Sequence, residues 1–176
     1  MRAGTYRPAL ACAAIPIVLA GCAARSGATS VGDRPAAIET ISYEVGPCFG
    51  FCPVYKAAVS SDGRVAFDGE RHTAVLGSRS TRIGVEAYGA FAKALASYRP
   101  ASGATATTTC DARMSDQQHY RIVWTAADGT RSTLEHDRGC RSARNDALNA
   151  ILQGAPERLG IAGFARQLTR PGVSRG

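Results

Sequence analysis

Cysteine is the residue type in this chain with the widest choice of chemistry. Cys48 and Cys52 are separated by Phe49-Gly50-Phe51 and followed by Pro53. Two thiolates at this spacing can hold Cu(I) with the help of a distant histidine, exchange disulfides, or bond to each other. Closure of so short a loop is feasible because Gly50 accepts backbone conformations that a branched residue refuses. The spacing alone leaves these three uses open.

Another cysteine lies near the start of the chain in a different environment. An uncharged apolar run from Leu10 to Ala20 follows Arg2 and Arg7, which is the pattern of a secretory signal. The run is too short for a transmembrane helix, which needs about 20 apolar residues. The sequence Leu-Ala-Gly-Cys, which ends at Cys22, resembles the lipobox of bacterial lipoproteins. The alternative is an ordinary secreted protein with an incidental cysteine.

The lipobox resemblance implies a membrane anchor. It implies cleavage before Cys22, a diacylglycerol on the Cys22 thiol and a third acyl chain on the freed amine. Several acyl chains give stable anchoring, whereas a single chain binds a membrane only marginally. Ala23 follows Cys22, where lipoproteins kept at the inner membrane of Gram-negative bacteria usually carry Asp. We therefore expect a lipid-anchored protein of the outer membrane that faces the periplasm.

The composition fits one domain that does not bind nucleic acid. The chain has 176 residues, and loss of Arg2 and Arg7 with the leader leaves 19 basic against 14 acidic residues, a net charge of +5. These charges are scattered, whereas nucleic-acid-binding proteins usually cluster Lys and Arg on one face. The composition indicates no oligomeric state. We predict a signal peptide over 1–21, a flexible tether over 22–37, a single globular domain over 38–155 and a C-terminal extension over 156–176.

Four cysteines remain after Cys12 leaves with the leader and Cys22 takes lipid. They are Cys48, Cys52, Cys110 and Cys140. An even number in an oxidising compartment indicates two disulfides, for which three connectivities exist. We prefer Cys48 with Cys52 and Cys110 with Cys140, and the second pair requires Cys110 to double back along a loop.

Alternating apolar residues predict a first unit of strands followed by a helix. The unit comprises a strand over 38–45, a hairpin that turns at Ser61-Asp62-Gly63, and a fourth strand interrupted by Gly77. Apolar residues three or four apart from Val85 to Leu95 then predict a helix, which Pro100 ends.

A second unit repeats this order after a predicted loop over 101–109. Tyr120 to Trp124 alternate, Asp128-Gly129 turns the chain, and a helix is predicted over 145–153. The fold class is therefore α+β, with an antiparallel sheet of about six strands in two hairpin-containing units, each followed by a helix packed on one face.

The segment Gly46–Tyr55, followed by a strand and an Asp-Gly turn, resembles the family known as domain of unknown function 6438. The resemblance covers roughly residues 38–152 and includes a later hairpin that follows Asp116. One departure is that the family often has Pro shortly after that Asp, whereas Gln117 and Gln118 stand here. The resemblance implies an envelope protein of unassigned activity, and it supports the architecture without adding a mechanism.

Two readings of the closed loop differ in where its aromatic rings lie. In the first reading, Phe49 and Phe51 plug into the core, as apolar side chains usually do. In the second reading the rings are displayed, and the loop forms a contact surface for an envelope protein. The candidate contact residues are Phe49, Gly50, Phe51, Pro53 and Tyr55.

Metal and cofactor sites have weaker support in the sequence. The Cys-x-x-x-Cys-Pro motif also occurs in Sco-type copper proteins, where it opens a helix, whereas here it runs into an alternating strand. His72, His119 and His136 are isolated in sequence, so we expect no metal site and no cofactor.

Catalytic motifs of hydrolases and phosphate-binding loops are absent from the sequence. Three acidic residues near the second hairpin are expected to be solvated, with a paired-carboxylate catalytic site as the alternative; they are Asp116, Glu135 and Asp137. The densest basic run comprises Arg131, Arg138, Arg141 and Arg144. Such a run is typical of a solvated face, and contact with an anionic sugar or lipid is the alternative.

We therefore predict no catalytic residues and a non-catalytic binding or structural module. Its partners are the membrane, through the lipid anchor, and an envelope protein. The alternatives are a copper-binding or thiol-disulfide protein that uses Cys48 and Cys52, and a small inhibitor of an envelope hydrolase.

Overall fold

A computed structural model of the chain describes residues 1, 4 and 38–168. Cys22, the tether predicted over 22–37 and nearly all of the predicted leader lie outside the described residues, as do residues 169–176.

In the part of the chain that the structure describes, seven strands form the main sheet. They are β1 (Thr40–Val45), β2 (Val54–Ser60), β3 (Arg64–Arg71), β4 (Gly77–Arg82), β5 (Thr105–Thr107), β7 (His119–Thr125) and β8 (Arg131–Asp137). Two short strands, β6 (Ala112–Arg113) and β9 (Cys140–Arg141), pair separately. The order across the main sheet is β4-β3-β2-β1-β7-β8-β5, and every pair is antiparallel except β5 with β8.

Within residues 38–168, four helices accompany the sheet. They are α1 (Val85–Leu95), α2 (Ala143–Gln153), α3 (Ala155–Arg158) and α4 (Ala162–Ala165), and a single 3-10 turn (Ala96–Tyr98) follows α1. Ser142 caps α2, because its side-chain oxygen accepts a hydrogen bond from the Asn145 N–H at 3.1 Å. The α+β class predicted from the sequence is confirmed.

The alternation in the strands decides which face of the sheet the helices cover. Tyr43 of β1 is fully buried and lies between Ala57 of β2 and Ile122 of β7 in the sheet register. The helix α1 places Phe91 against it, with the two ring centroids 6.3 Å apart. Burial of each large apolar side chain on this face contributes about 1.5–3 kcal/mol relative to exposure. The helices therefore pack on one face, as the sequence predicts.

Two sequence expectations need correction. Residues 101–109 are not all loop, because Ala106 of β5 pairs in parallel with Leu134 and satisfies backbone groups at the edge of β8. The segment beyond residue 155 is not a separate extension either. Leu159 and Ile161 are fully buried in the same core, so the packed domain continues past the predicted boundary.

The strand directions bring several connections to one end of the sheet. β1, β3 and β8 end there, and β2, β4 and β7 begin there. We call this the loop end of the domain. It carries the connection between β1 and β2, which contains Cys48 and Cys52, and the segment before β7.

Candidate functional site

The connection between β1 and β2 is a covalently closed turn. A disulfide joins Cys48 to Cys52, whose Cα atoms are 5.8 Å apart, and we call residues 46–53 the stapled loop. Gly50 has φ +146°, in the region that residues with a Cβ rarely adopt. The closure therefore depends on glycine at this position, as the sequence predicts.

A single amide side chain holds both ends of the stapled loop. Gln118 donates from Nε2 to the carbonyl of Gly46 at 3.2 Å and to the carbonyl of Pro53 at 2.8 Å. Two backbone hydrogen bonds add to this anchoring. The Gly46 N–H donates to the His119 carbonyl at 2.7 Å, and the Phe49 N–H donates to the Asp116 carbonyl at 3.2 Å. The loop is thus fixed by the disulfide across it and by hydrogen bonds to the segment before β7.

Gln118 is the positioning residue that sequence reasoning missed. In the sequence, Gln118 stands out only as a departure from a family pattern. In the structure this residue is buried, with 6% of its surface exposed. A signal was present, because Gln118 continues the period-two set of inward positions at Tyr120, Ile122 and Trp124. A polar residue on the buried side of a strand must find partners. Here the partners are the two carbonyls of the stapled loop.

The aromatic residues of the loop have different environments. Phe49 is 88% exposed, so the core position considered for it is wrong and its ring is displayed. Phe51 is half-buried, and its ring centroid lies 3.8 Å from that of His72. The Phe51 carbonyl also accepts a hydrogen bond from Gln167 Nε2. The Phe49 ring is therefore exposed, and the Phe51 ring is held against the connection between β3 and β4.

Tyr55 is not a contact residue. It is 5% exposed and lies in the core, with its ring centroid 5.9 Å from that of Tyr43 and 5.4 Å from that of Phe67. Burial raises the pKa of the Tyr55 phenol to about 12. The correction follows from the strand register, since Tyr55 lies opposite Val45 on the covered face of the sheet.

Other large apolar side chains are exposed at the loop end. They are Leu76, Met114 and Leu168. Leu168 is tied to this end because its N–H donates to the His72 carbonyl at 3.0 Å. Among the described residues, Phe49 is thus one of four large apolar side chains that are exposed at this end of the domain.

The second cysteine pair encloses the second hairpin. A disulfide joins Cys110 to Cys140, with Cα atoms 4.9 Å apart, and Cys140 is 1% exposed. Cys110 reaches it because the chain doubles back and β6 pairs with β9, which places Arg113 opposite Cys140. Both cysteine pairs lie at disulfide distance in the connectivity preferred from the sequence.

The geometry does not fit the copper alternative. Cys48 and Cys52 are bonded to each other, and two thiolates are required to hold Cu(I). Among the described residues, no group of three or more His, Cys, Asp or Glu is placed to hold a metal ion. His136 is fully buried and hydrogen-bonded to Thr108 and Asn149.

The acidic residues near the second hairpin are engaged individually. Glu135 pairs with Arg121 at 3.0 Å, and Asp137 pairs with Arg113 at 3.3 Å. Asp116 has φ +66° and accepts a hydrogen bond from the Ser115 hydroxyl at 2.9 Å. Two of the three carboxylates therefore have their own cationic partner, which does not favour a catalytic pair.

No helix within residues 38–168 has the length and apolar character that crossing a bilayer requires.

Comparison with known proteins identifies a family that covers most of the described domain. The model of a family described as "Domain of unknown function (DUF6438)" matches residues 39–157. No curated protein matches the chain.

Proposed function

The chain belongs to the DUF6438 family, and from this premise we propose that it is a lipid-anchored, non-catalytic module of the bacterial cell envelope that contacts an envelope protein through the stapled loop. The observation that carries the proposal is the 88% exposure of Phe49 on a turn closed by a disulfide. An aromatic side chain on a rigid turn loses little conformational entropy on binding, which favours its use as an anchor.

The proposed location rests on the sequence around Cys22 and on the cysteine chemistry of the domain. Leu-Ala-Gly-Cys follows a short apolar run, and Ala23 follows Cys22. Two cysteine pairs at disulfide distance suit an oxidising compartment such as the periplasm. We therefore place the module on the periplasmic side of the outer membrane of a Gram-negative bacterium.

Site-specific crosslinking in intact cells tests the contact. A photoreactive phenylalanine analogue at Phe49 is compared with the same analogue at Val85, an exposed apolar residue just beyond the opposite end of β4. We expect one discrete crosslinked product from position 49 that is absent from position 85. Equal patterns of crosslinked products at the two positions would contradict a specific contact through the stapled loop.

Metabolic labelling with radioactive palmitate tests the anchor. The wild-type protein should take up label and fractionate with the outer membrane, and Cys22→Ser should do neither. An unlabelled wild-type protein would contradict the anchor, and co-fractionation with inner-membrane markers would contradict the location.

Inhibition of an envelope hydrolase is a second candidate, favoured by the same exposed Phe49 on a closed turn. It differs from the first in the identity of the crosslinked partner. A hydrolase captured at position 49, with activity that falls on adding the purified wild-type protein but not Phe49→Ala, would support inhibition. A captured partner with no hydrolase activity would support the contact module.

A further inference from the structure

A polar cleft lies beside the second disulfide, apart from the stapled loop. It has a volume of about 370 Å³ and is bounded by α2, the turn between β8 and β9, and the segment from Met114 to Gln117. Binding sites for small molecules commonly occupy about 300–1,000 Å³. We call it the arginine cleft, because Arg138 and Arg141 line it.

The two guanidinium groups differ in how they are paired. Arg141 donates from Nε to Asp146 Oδ1 at 2.6 Å, and this hydrogen bond lowers the pKa of the Asp146 carboxyl. The partly buried Arg138 side chain makes no hydrogen bond or ion pair with any residue from 38 to 168. The Arg138 guanidinium therefore offers its donors to the cleft.

The backbone of Arg138 is fixed although its side chain is free. The Arg138 N–H donates to the Gln118 carbonyl at 2.9 Å, and its carbonyl accepts from Asn149 Nδ2 at 3.2 Å. Asn149 in turn is held by His136, whose Nε2 lies 3.0 Å from its Oδ1. The fixed backbone keeps the Arg138 side chain at the wall of the cleft, and its guanidinium is a charge-assisted donor for an anion.

The opposite wall of the cleft is held equally closely. The Met114 N–H donates to the Gly139 carbonyl at 2.9 Å, and a Cβ at Gly139 would lie 2.0 Å from the Met114 carbonyl oxygen. Only glycine allows this approach of the two segments. The Cys110–Cys140 disulfide adjoins the same contact, so the walls cannot separate easily.

The charge and lining of the cleft indicate the class of ligand. Arg138, Arg141 and Asp146 together leave one net positive charge, which matches a monoanionic carboxylate better than a dianionic phosphate. The amides of Gln117 and Gln153 add groups that can bind hydroxyls. Arginine recognises carboxylates through two parallel hydrogen bonds. We propose that the arginine cleft binds a carboxylate-bearing sugar.

Saturation-transfer NMR with the full-length protein tests this proposal, using glucuronate as the probe. Glucose lacks the carboxylate, and glucose 6-phosphate replaces it with a phosphate. We expect glucuronate to bind with a dissociation constant on the order of 1 mM and glucose to give no measurable binding. Tighter binding of glucose 6-phosphate than of glucuronate would overturn the choice of carboxylate.

Two cleft variants and one matched control locate the binding. Arg138→Gln should weaken glucuronate binding at least about tenfold, because it removes a charge-assisted hydrogen-bond donor. Gln153→Glu, at the exposed end of α2, should weaken it by charge repulsion and by loss of the Gln153 amide donor, while both guanidinium groups stay in place. Arg131→Gln makes the same charge change about 20 Å away along β8 and should leave binding unchanged.

The outcomes separate the cleft from general electrostatic attraction. Equal weakening by Arg131→Gln and Arg138→Gln would show attraction to net charge and overturn the cleft site. Absence of any glucuronate signal in the wild type would overturn the proposal outright. The crosslinking result at Phe49 has no bearing on either outcome, since Phe49 does not line the cleft.

Discussion

The two disulfide-bonded regions of the domain use the same bond for different purposes. Cys48 and Cys52 are four residues apart and close a surface turn whose Phe49 is exposed. Cys110 and Cys140 are thirty residues apart and enclose the second hairpin, with Cys140 buried beside α2. The first bond shapes a surface, and the second holds core elements together.

The number of residues in each closed loop determines how much each disulfide is expected to stabilise the folded state. In the chain-entropy model, closing a loop of four residues stabilises the folded state by about 2 kcal/mol, and closing one of thirty residues by about 3.6 kcal/mol. The short staple therefore contributes less to global stability than the long one. What it adds is a fixed backbone for the displayed ring.

Removal of the long disulfide should lower stability more than removal of the short one. Cys110→Ala combined with Cys140→Ala should lower the free energy of unfolding by about 3.6 kcal/mol, measured by urea denaturation under oxidising conditions. The matched control is Cys48→Ala with Cys52→Ala, for which we expect about 2 kcal/mol. If the control lost as much free energy of unfolding as the first variant, the two disulfides would not differ in their contribution to stability.

Loss of the Gln118 side chain, which holds both ends of the stapled loop, should destabilise the protein less than removal of the Cys110–Cys140 disulfide. Gln118→Ala removes hydrogen bonds to the carbonyls of Gly46 and Pro53 and should cost about 1–3 kcal/mol. Amide hydrogen exchange should rise within residues 46–53 and remain unchanged around the second disulfide. Gln117→Ala is the neighbouring control and should have little effect on the stapled loop, because among the described residues the Gln117 side chain hydrogen-bonds only to the Ser115 carbonyl, at 3.4 Å. Protection of the loop that survives Gln118→Ala would assign the anchoring role to the disulfide and to the backbone hydrogen bonds of Gly46 and Phe49.

Much of the fold follows from local patterns in the sequence. The hairpin turns, the helix from Val85 to Leu95 and the one-sided core depend on alternation, helical periodicity and Asp-Gly turns, and these act over short stretches of chain. The parallel pairing of β5 with β8 has no such signature. Residues 105–107 are small and exposed, so only the free edge of β8 makes them a strand.

The candidate site was only partly predictable, for the same reason. The Cys48–Cys52 pair and the role of Gly50 follow from spacing and from glycine's conformational freedom. Whether Phe49 is buried depends on the path of a loop, which no periodicity records. The free guanidinium of Arg138 likewise depends on which arginines of the basic run meet acidic partners in three dimensions.

The buried side chain of His136, in the region of the Cys110–Cys140 disulfide, predicts a pH dependence of stability that the Cys48–Cys52 region does not share. Asn149 Nδ2 donates to the Arg138 carbonyl, so its Oδ1 must accept from His136 Nε2–H, while His136 Nδ1 accepts from the Thr108 hydroxyl. This arrangement suits a neutral imidazole, and burial lowers the pKa of His136 below the usual value, against smaller opposing effects of Asn149 and Asp137. A histidine whose pKa is lowered by folding stabilises the protein above its unfolded pKa of about 6.5.

This stabilisation should be lost as the pH falls from about 6.5 through the lowered pKa of the folded state. The free energy of unfolding of the wild type should therefore decrease from pH 7 to pH 5 more steeply than that of His136→Gln, measured by denaturant titration at each pH. Cys48→Ala with Cys52→Ala should retain the wild-type slope. Parallel slopes for wild type and His136→Gln would mean that the imidazole is not held neutral by its burial.

Truncation of the displayed ring should affect stability least, and for that reason it distinguishes display from packing most clearly. Phe49→Ala should change the free energy of unfolding by less than about 0.5 kcal/mol, because an exposed side chain away from caps and networks carries little of the folding energy. Tyr55→Ala, six residues along the chain on the covered face, should cost about 3–5 kcal/mol, as for other buried aromatic residues. Contact with a partner should follow the opposite order, since the loss of Phe49 removes the anchor and leaves the fold intact. A Phe49→Ala protein that unfolds as readily as Tyr55→Ala would mean that the ring packs against the domain, and the stapled loop would then be a structural turn.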